Sequence, residues 1–260
     1  MEGTSYCRID QDHGLMCRHP CPSVPPFPRP HDCNMVNPNR SAPYLGFLPL
    51  SALLTLLFSV LIYLTFYYEP NYVFSPEAMS AIGKRAIRDG ESSTGLNATV
   101  ASVVRQLSER YPGRILPNPQ WMFNNAGGAM GAMLVLHCSV IEYVIVFGTA
   151  VGTEGHTGRF FADDYFTMLH GEQWAFVPGA LQREVYRPGD QHFLPRGTAK
   201  QYRMPAEAWA LEYARGNIAS MMPFGLADSL VSTFDWVTVW HTVRVSAAGM
   251  ATELARGWLW

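Results

Sequence analysis

Four acidic side chains stand in stretches that are otherwise apolar: Glu142 in SVIEYVIVF, Asp163 and Asp164 in RFFADDYFTML, and Glu212 in EAWALEYARG. A buried carboxylate is costly unless it is paired or hydrogen-bonded, and burial raises its pKa, so two lying close together share a proton. That is the equipment for general acid catalysis on an apolar substrate, and equally for gripping a cationic ligand. Read as a strand, the last stretch puts Trp209, Leu211 and Tyr213 on one face and Ala208, Ala210 and Glu212 on the other. The alanines leave room beside the Glu212 carboxylate that a bulky core strand would fill. The bland alternative is a satisfied internal hydrogen bond, and it applies first to Glu142.

Other chemistries find less support in the chain. His137, His156, His170 and His192 lack the His-x-His, Glu and later His that a metal-binding cupin needs, so each reads as a hydrogen-bonded structural residue. Cys7, Cys17, Cys21 and Cys33, interleaved with His13, His19 and His31, fit no paired C-x-x-C zinc arrangement; Cys138 reads as a small buried hydrophobe. NNAGGAMGAM lacks the strand, helix and G-x-G-x-x-G of a dinucleotide site, so its glycines read as a tight turn, and no G-x-S-x-G nucleophile is present. A net charge of -2 gives no footprint for nucleic acid.

The elements that must position the carboxylates follow from pattern. Only 15% of residues are charged against 48% hydrophobic, which leaves much surface tolerant of an apolar neighbour. Residues 44–68 carry no charge and are long enough for a transmembrane helix, with Tyr63, Tyr67 and Tyr68 at one end; the flanking Lys and Arg do not decide its orientation. Residues 1–43, rich in proline, read as a flexible leader. Ser75 as N-cap, Pro76 as first helical residue and Gly90 past the end mark one helix, and an apolar stripe from Val100 to Tyr111 marks a second over about 97–111. From Ala132 to Tyr213 short runs such as YVIVFGT, REVYRPGD, GTAKQYRM and AWALEYA, broken by turn residues, predict a small sandwich or barrel, with a cupin-type double-stranded barrel one candidate. Two weakly charged helices follow, one starting at Pro223 and one prominent in Phe234, Trp236, Trp240 and Val243. They suit either the core or a membrane surface.

NAGGAMGAM, LHCSVIEYVIVFGTAVGTEGHTGRFFADDYF, EVYRPGD, ALEYARG and LADSLVSTFD together resemble the family that joins fungal-type C-8 sterol isomerases with the sigma non-opioid intracellular receptor. The resemblance runs from about Val73 to near the C-terminus. It implies an α+β fold: a single N-terminal transmembrane helix, a cupin-like β-barrel flanked by helices and enclosing an apolar pocket without metal, and C-terminal membrane-associated amphipathic helices. The expected division is leader 1–43, transmembrane helix 44–68, barrel domain 73–218 and membrane-adjacent helices 219–260. By position Glu212 matches the family's ligand-gripping glutamate. The receptor branch has an aspartate where Phe166 stands here, whereas FADDYF looks like the isomerase branch.

The resemblance therefore implies a sterol isomerase of ergosterol-type biosynthesis that moves the ring double bond from carbons 8 and 9 to carbons 7 and 8, through a carbocation. Glu212 and one of Asp163 or Asp164 are the expected acid and base. Tyr143, Glu142, Met133, Phe147, Met204, Trp209 and Met222 are the expected substrate-binding residues. No cofactor is expected, because the double bond only moves. The implied partners are a sterol, amine inhibitors that mimic the cation, membrane lipid and, by resemblance, two further copies in a trimer, with a single-pass position in the endoplasmic reticulum membrane. The alternative is a non-enzymatic receptor that binds hydrophobic amines or sterols through the same carboxylate.

Overall fold

In the computed structural model of the protein, residues 47–66, 70–93 and 95–257 are described. The expected leader lies outside them. The chain divides into two units, 1–52 and 53–260, and the boundary falls within helix α1 (Phe47–Phe66), which carries no charged residue in its first or last turn. Taken over the described residues, no helix is long and apolar enough to cross a membrane. The ends of the expected 44–68 span, and several α1 side chains, lie outside the described set.

Helices α2 (Pro76–Glu91) and α3 (Leu96–Arg110) follow. Ser75 caps α2 as its sequence predicts, its hydroxyl accepting from Ala78 N at 3.2 Å, with proline in the first turn. Gly90 does not lie beyond α2 but in its last turn. A Cβ there would come within 1.9 Å of Thr99 Oγ1, so the glycine is required for the close approach of α3 rather than for a stop.

Ten strands come next among the described residues: β1 (Trp121–Ala126), β2 (Ala129–Cys138), β3 (Glu142–Thr149), β4 (Thr153–His156), β5 (Ala162–His170), β6 (Gln173–Phe176), β7 (Glu184–Tyr186), β8 (Gln191–Leu194), β9 (Gln201–Met204) and β10 (Ala208–Gly216). They form a six-stranded sheet ordered β1-β2-β3-β10-β5-β8 and a four-stranded sheet ordered β4-β9-β6-β7, antiparallel throughout. From β3 onward the chain steps back and forth between the sheets, pausing only for the β6–β7 hairpin. That is the winding of a cupin-like double-stranded barrel. Gly127 and Gly128, both at positive φ, make the two-residue turn of the β1–β2 hairpin, the role the glycine-rich stretch suggests.

The six-stranded sheet is covered on both faces, which is why β3 reads as one continuous apolar run. On its outer face Leu134, Leu136, Val144, Val146, Leu211 and Tyr213 pack against Met79, Ile82, Val103 and Leu107 of α2 and α3. Its inner face turns toward the four-stranded sheet and supplies a second core that includes Met133, Ile145, Phe147, Phe166 and Met168. A 3-10 turn at Ile218–Met221 leads into α4 (Met222–Val231), and α5 (Trp236–Ala255) follows, packing against β1 and β2.

Candidate active site

Strand alternation decides which acids meet. On β10 the side chains of Ala210, Glu212 and Ala214 share the inner face. Glu212 pairs with Ile145 of β3 and Phe166 of β5, and Ala214 pairs with Tyr143 and Asp164. Glu212 and Asp164 therefore sit one step apart on the same face, with Tyr143 across Ala214 from Asp164 and with Ala210 and Ala214 flanking Glu212 along β10. The sequence reading of β10, alanines clearing space for a carboxylate, describes this face.

Asp163, the neighbour of Asp164, points the other way. It accepts from Arg196 N at 3.0 Å, from Arg196 Nη2 at 3.3 Å, and lies 4.0 Å from Arg215 Nε. Two guanidinium groups hold it as an ordinary structural anion. Glu142 is also on the outer face and fully buried. Its carboxylate accepts from Val73 N (2.8 Å), Phe74 N (3.1 Å) and the Tyr213 hydroxyl (2.8 Å), which fastens the segment entering α2 to the sheet. The structure thus places neither Asp163 nor Glu142 in the cavity, because each is one residue out of phase with it.

The cavity, with its open mouth counted in, contains about 1180 Å³ of space not filled by atoms. Of the expected wall residues, Tyr143, Met133, Phe147 and Met222 line it. Met204 is buried nearby in the inner core without lining it. Trp209 belongs to the outer face, edge-on to Trp121 with ring centroids 5.2 Å apart, again one residue out of phase. Residues not expected as wall complete it: Phe166, His192 and Gln173 from the strands, Tyr202 opposite the acids, Thr242 and Ser246 from α5. Their inward direction depends on strand pairing and helix docking, although the alternation of β8 and β9 was there to be used. Cys138, read as a small hydrophobe, is buried and lines the cavity, where burial pushes its thiol up to about 11.

Burial acts strongly on the two inner acids. Burial lifts Glu212 to about 7, against the opposing hydrogen bond donated by the Tyr143 hydroxyl to its Oε1. Burial also lifts Asp164 well above the carboxylate range, the nearby Glu212 charge adds to the rise, and a backbone hydrogen bond from Tyr165 opposes it. Asp164 Oδ1 is buried without a hydrogen-bond partner among the described residues. With both acids raised, the pair is equipped to share one proton, one member neutral and the other ionised. Such a pair can donate a proton, accept one, and face a developing positive charge. No group of three or more His, Cys, Asp or Glu side chains capable of holding a metal ion occurs among the described residues.

The model of the family described as ERG2 and Sigma1 receptor like protein matches residues 51–258. The chain is 51% identical over 195 residues to the C-8 sterol isomerase erg2 of Aspergillus fumigatus, covering 75% of this chain and 81% of that one. It is 48% identical over 211 residues to the C-8 sterol isomerase ERG2 of Gibberella zeae, covering 81% and 88%. With the sigma non-opioid intracellular receptor 1 of Danio rerio it shares 41% over 186 residues, covering 70% and 81%. Among solved structures, a cupin superfamily protein of Desulfitobacterium hafniense aligns at 17% identity over 42% of this chain and 86% of that one, with a TM-score of 0.30.

Proposed function

The chain belongs to the ERG2 and Sigma1 receptor like protein family, and from that premise we propose that it is a C-8 sterol isomerase, with Asp164 and Glu212 as its catalytic acids. The observation that carries the reading is the pair itself: two carboxyls on one face of an apolar cavity, raised by burial, with no cation among the influences on either. An apolar substrate needs no more than that. Fungal relatives named C-8 sterol isomerase at 42–51% identity support it.

The reaction closes on the pair without a cofactor. The neutral carboxyl gives its proton to carbon 9; its O–H bond breaks, and the electrons of the 8,9 double bond form the new C–H bond. Carbon 8 is left cationic, facing the ionised carboxylate, which stabilises it electrostatically in a water-poor site. The carbon 7 C–H bond then breaks, its proton passes to that carboxylate, and its electrons form the 7,8 double bond. The pair holds one proton before and after. Tyr143 donates to Glu212 and so fixes the direction of its carboxylate. A protonated hydrophobic amine has the charge and greasy body of the intermediate, so such amines are inhibitors on this reading.

We extend the proposal to place and assembly. Helix α5 is inverted for a water-facing helix: Thr238, Thr242, Ser246 and Glu253 are buried while Trp236, Val237 and Trp240 are exposed, Trp240 by 65%. Lipid is the solvent that suits such a face. The charge-free sequence of residues 44–68, taken as helix at 1.5 Å per residue, comes to about 37 Å, more than a bilayer's hydrocarbon thickness. The reading is a single-pass protein of the endoplasmic reticulum membrane, trimeric by family resemblance, with leader 1–43, span 44–68, barrel 73–218 and lipid-facing helices 219–260. The test is expression in cells lacking their own C-8 isomerase, with sterols followed by mass spectrometry. Conversion of the 8-ene to the 7-ene sterol is expected, and an unchanged 8-ene pool from well-expressed protein would end the proposal.

A further inference from the structure

The cavity ends, on the side away from α5, in a polar pair that the isomerisation does not use. His192 stands on β8, the last strand of the six-stranded sheet, whereas α5 packs on β1 and β2 at the opposite edge. Gln173 faces it from β6. Each is only 3% exposed and each lines the cavity. His192 Nδ1 lies 3.3 Å from Gln173 Oε1, and the imidazole stacks on the Tyr186 ring at 4.4 Å between centroids.

Behind this pair lies a closed ionic group. The Tyr186 hydroxyl donates to Glu184 Oε2 at 2.6 Å and Lys200 Nζ donates to the same atom at 2.5 Å. Burial lowers His192 to about 4, helped by the Lys200 charge and opposed by Glu184, so the ring is neutral at pH 7. A neutral ring that donates from Nδ1 to Gln173 Oε1 leaves Nε2 as an acceptor. Nε2 is buried without a hydrogen bond among the described residues, 3.9 Å from Glu184 Oε2. The Gln173 amide nitrogen is left as a donor. His192 Nε2 turns toward Glu184, so the group left for a ligand is the uncharged Gln173 amide donor, held in place by His192, and it matches the oxygen of a hydroxyl.

The spacing matches as well. His192 pairs with Phe166, and Phe166 with Glu212, so the two inward positions are two strand spacings apart, about 10 Å. A sterol has one hydroxyl, on ring A, and its moving double bond lies in ring B. Two other hydroxyls of the wall are engaged: that of Thr242 donates to Met122 Sδ at 3.7 Å and that of Thr157 to Gly158 O at 3.1 Å. We propose that His192 and Gln173 form the subsite that reads the ring-A hydroxyl, setting ring A toward β8, ring B over Asp164 and Glu212, and the sterol side chain toward α4 and α5. This rests on the sterol reading above.

The experiment uses the full chain in detergent and two ligand pairs: a saturated 3β-hydroxysterol with its 3-deoxy counterpart for binding, and the corresponding 8-ene pair for turnover. Wild-type protein is expected to bind the hydroxysterol on the order of 10- to 100-fold more tightly, the range of a well-made buried hydrogen bond. His192→Leu and, independently, Gln173→Leu shrink that ratio to within about 3-fold by weakening hydroxysterol binding alone, while Thr242→Val keeps it. Gln173→Leu decides the matter should His192→Leu fail to fold. Wild-type protein without the preference, variants that lose both ligands equally, or a preference that disappears with Thr242→Val instead would each overturn the subsite. Intact binding preference with neither 8-ene sterol converted sinks the isomerase reading and leaves the subsite standing; turnover without preference does the reverse.

Discussion

Glu142 and Glu212 sit on neighbouring strands of one sheet, the first fully buried and the second half-buried at the cavity, and their fates differ because they face opposite sides of the sheet. Glu142, on the outer face, accepts three hydrogen bonds from Val73, Phe74 and Tyr213. Glu212, on the inner face, has one tyrosine as donor and a second acid, Asp164, for a neighbour. Burial raises both. The outer carboxylate is finished by the fold; the inner one is left in need of a partner. The depth of an acid is thus a poor guide to its role, and the inventory of its donors a good one.

The comparison breaks most sharply at Glu212. Glu212→Gln keeps the shape and the Tyr143 contact but removes the titrating group, so kcat is expected to fall by roughly 10²–10⁴-fold, the usual worth of a positioned acid or base. Folding should respond in the opposite sense. Glu212 has a folded pKa raised from about 4.5 to about 7, so the stability it confers is complete below pH 4.5 and is lost as pH rises through 7. At about 1.4 kcal/mol per unit that is on the order of 3 kcal/mol. Denaturant melts at pH 5 and pH 8 should show wild-type protein losing stability across that interval and Glu212→Gln losing markedly less, the remainder coming from Asp164, which burial still raises. Turnover near wild type, or parallel pH dependences, would remove Glu212 from the role given to it.

Glu142→Ala tests the other face. It strands the Val73 and Phe74 backbone N–H groups, each worth about 1–3 kcal/mol when left unpaired, while the Tyr213 hydroxyl keeps Phe74 O, so a loss of about 2 kcal/mol or more in unfolding free energy is expected. The protein that remains folded should keep kcat within a few-fold of wild type. A large drop in kcat without a drop in stability would erase the distinction between the two glutamates.

How much of this was legible in the chain follows from the same phase argument. Alternation along AWALEYARG puts Glu212 opposite Trp209 and Tyr213 with no structure in hand, because a strand has a period of two and no other choice. The same rule applied to FADDYF says that Asp163 and Asp164 face opposite ways, but not which way. That is settled by the register of β5 on β10, which joins segments nearly fifty residues apart, and by the arginines that claim Asp163. Trp209 obeys the same rule, which turns it away from the cavity although its apolar character suits a wall. His192 and Gln173 carried no local signal, since their meeting depends on two different sheets closing on each other. Helix ends showed the same split: Ser75 and Pro76 announce the start of α2, whereas Gly90 answers to α3 packing against it.

Smaller effects refine the contrast. Tyr143→Phe deletes the donor that holds Glu212 down, so Glu212 should rise above about 7 and the alkaline limb of the pH–rate profile should move upward. A fall in kcat of about 10-fold accompanies it if the hydroxyl fixes the carboxylate's direction, and a limb that stays in place would show that the tyrosine is only wall. Asp163→Asn is the mildest change. Its partners Arg196 and Arg215 are partly exposed, and ion pairs in such settings are worth about 0–1 kcal/mol. Stability should drop by no more than that, with kcat and its pH profile unchanged, although the altered residue is the sequence neighbour of Asp164. A profile that shifted as far as that of Tyr143→Phe would mean that charge on the outer face reaches the inner pair through the strand, and the separation of the two faces would have to be given up.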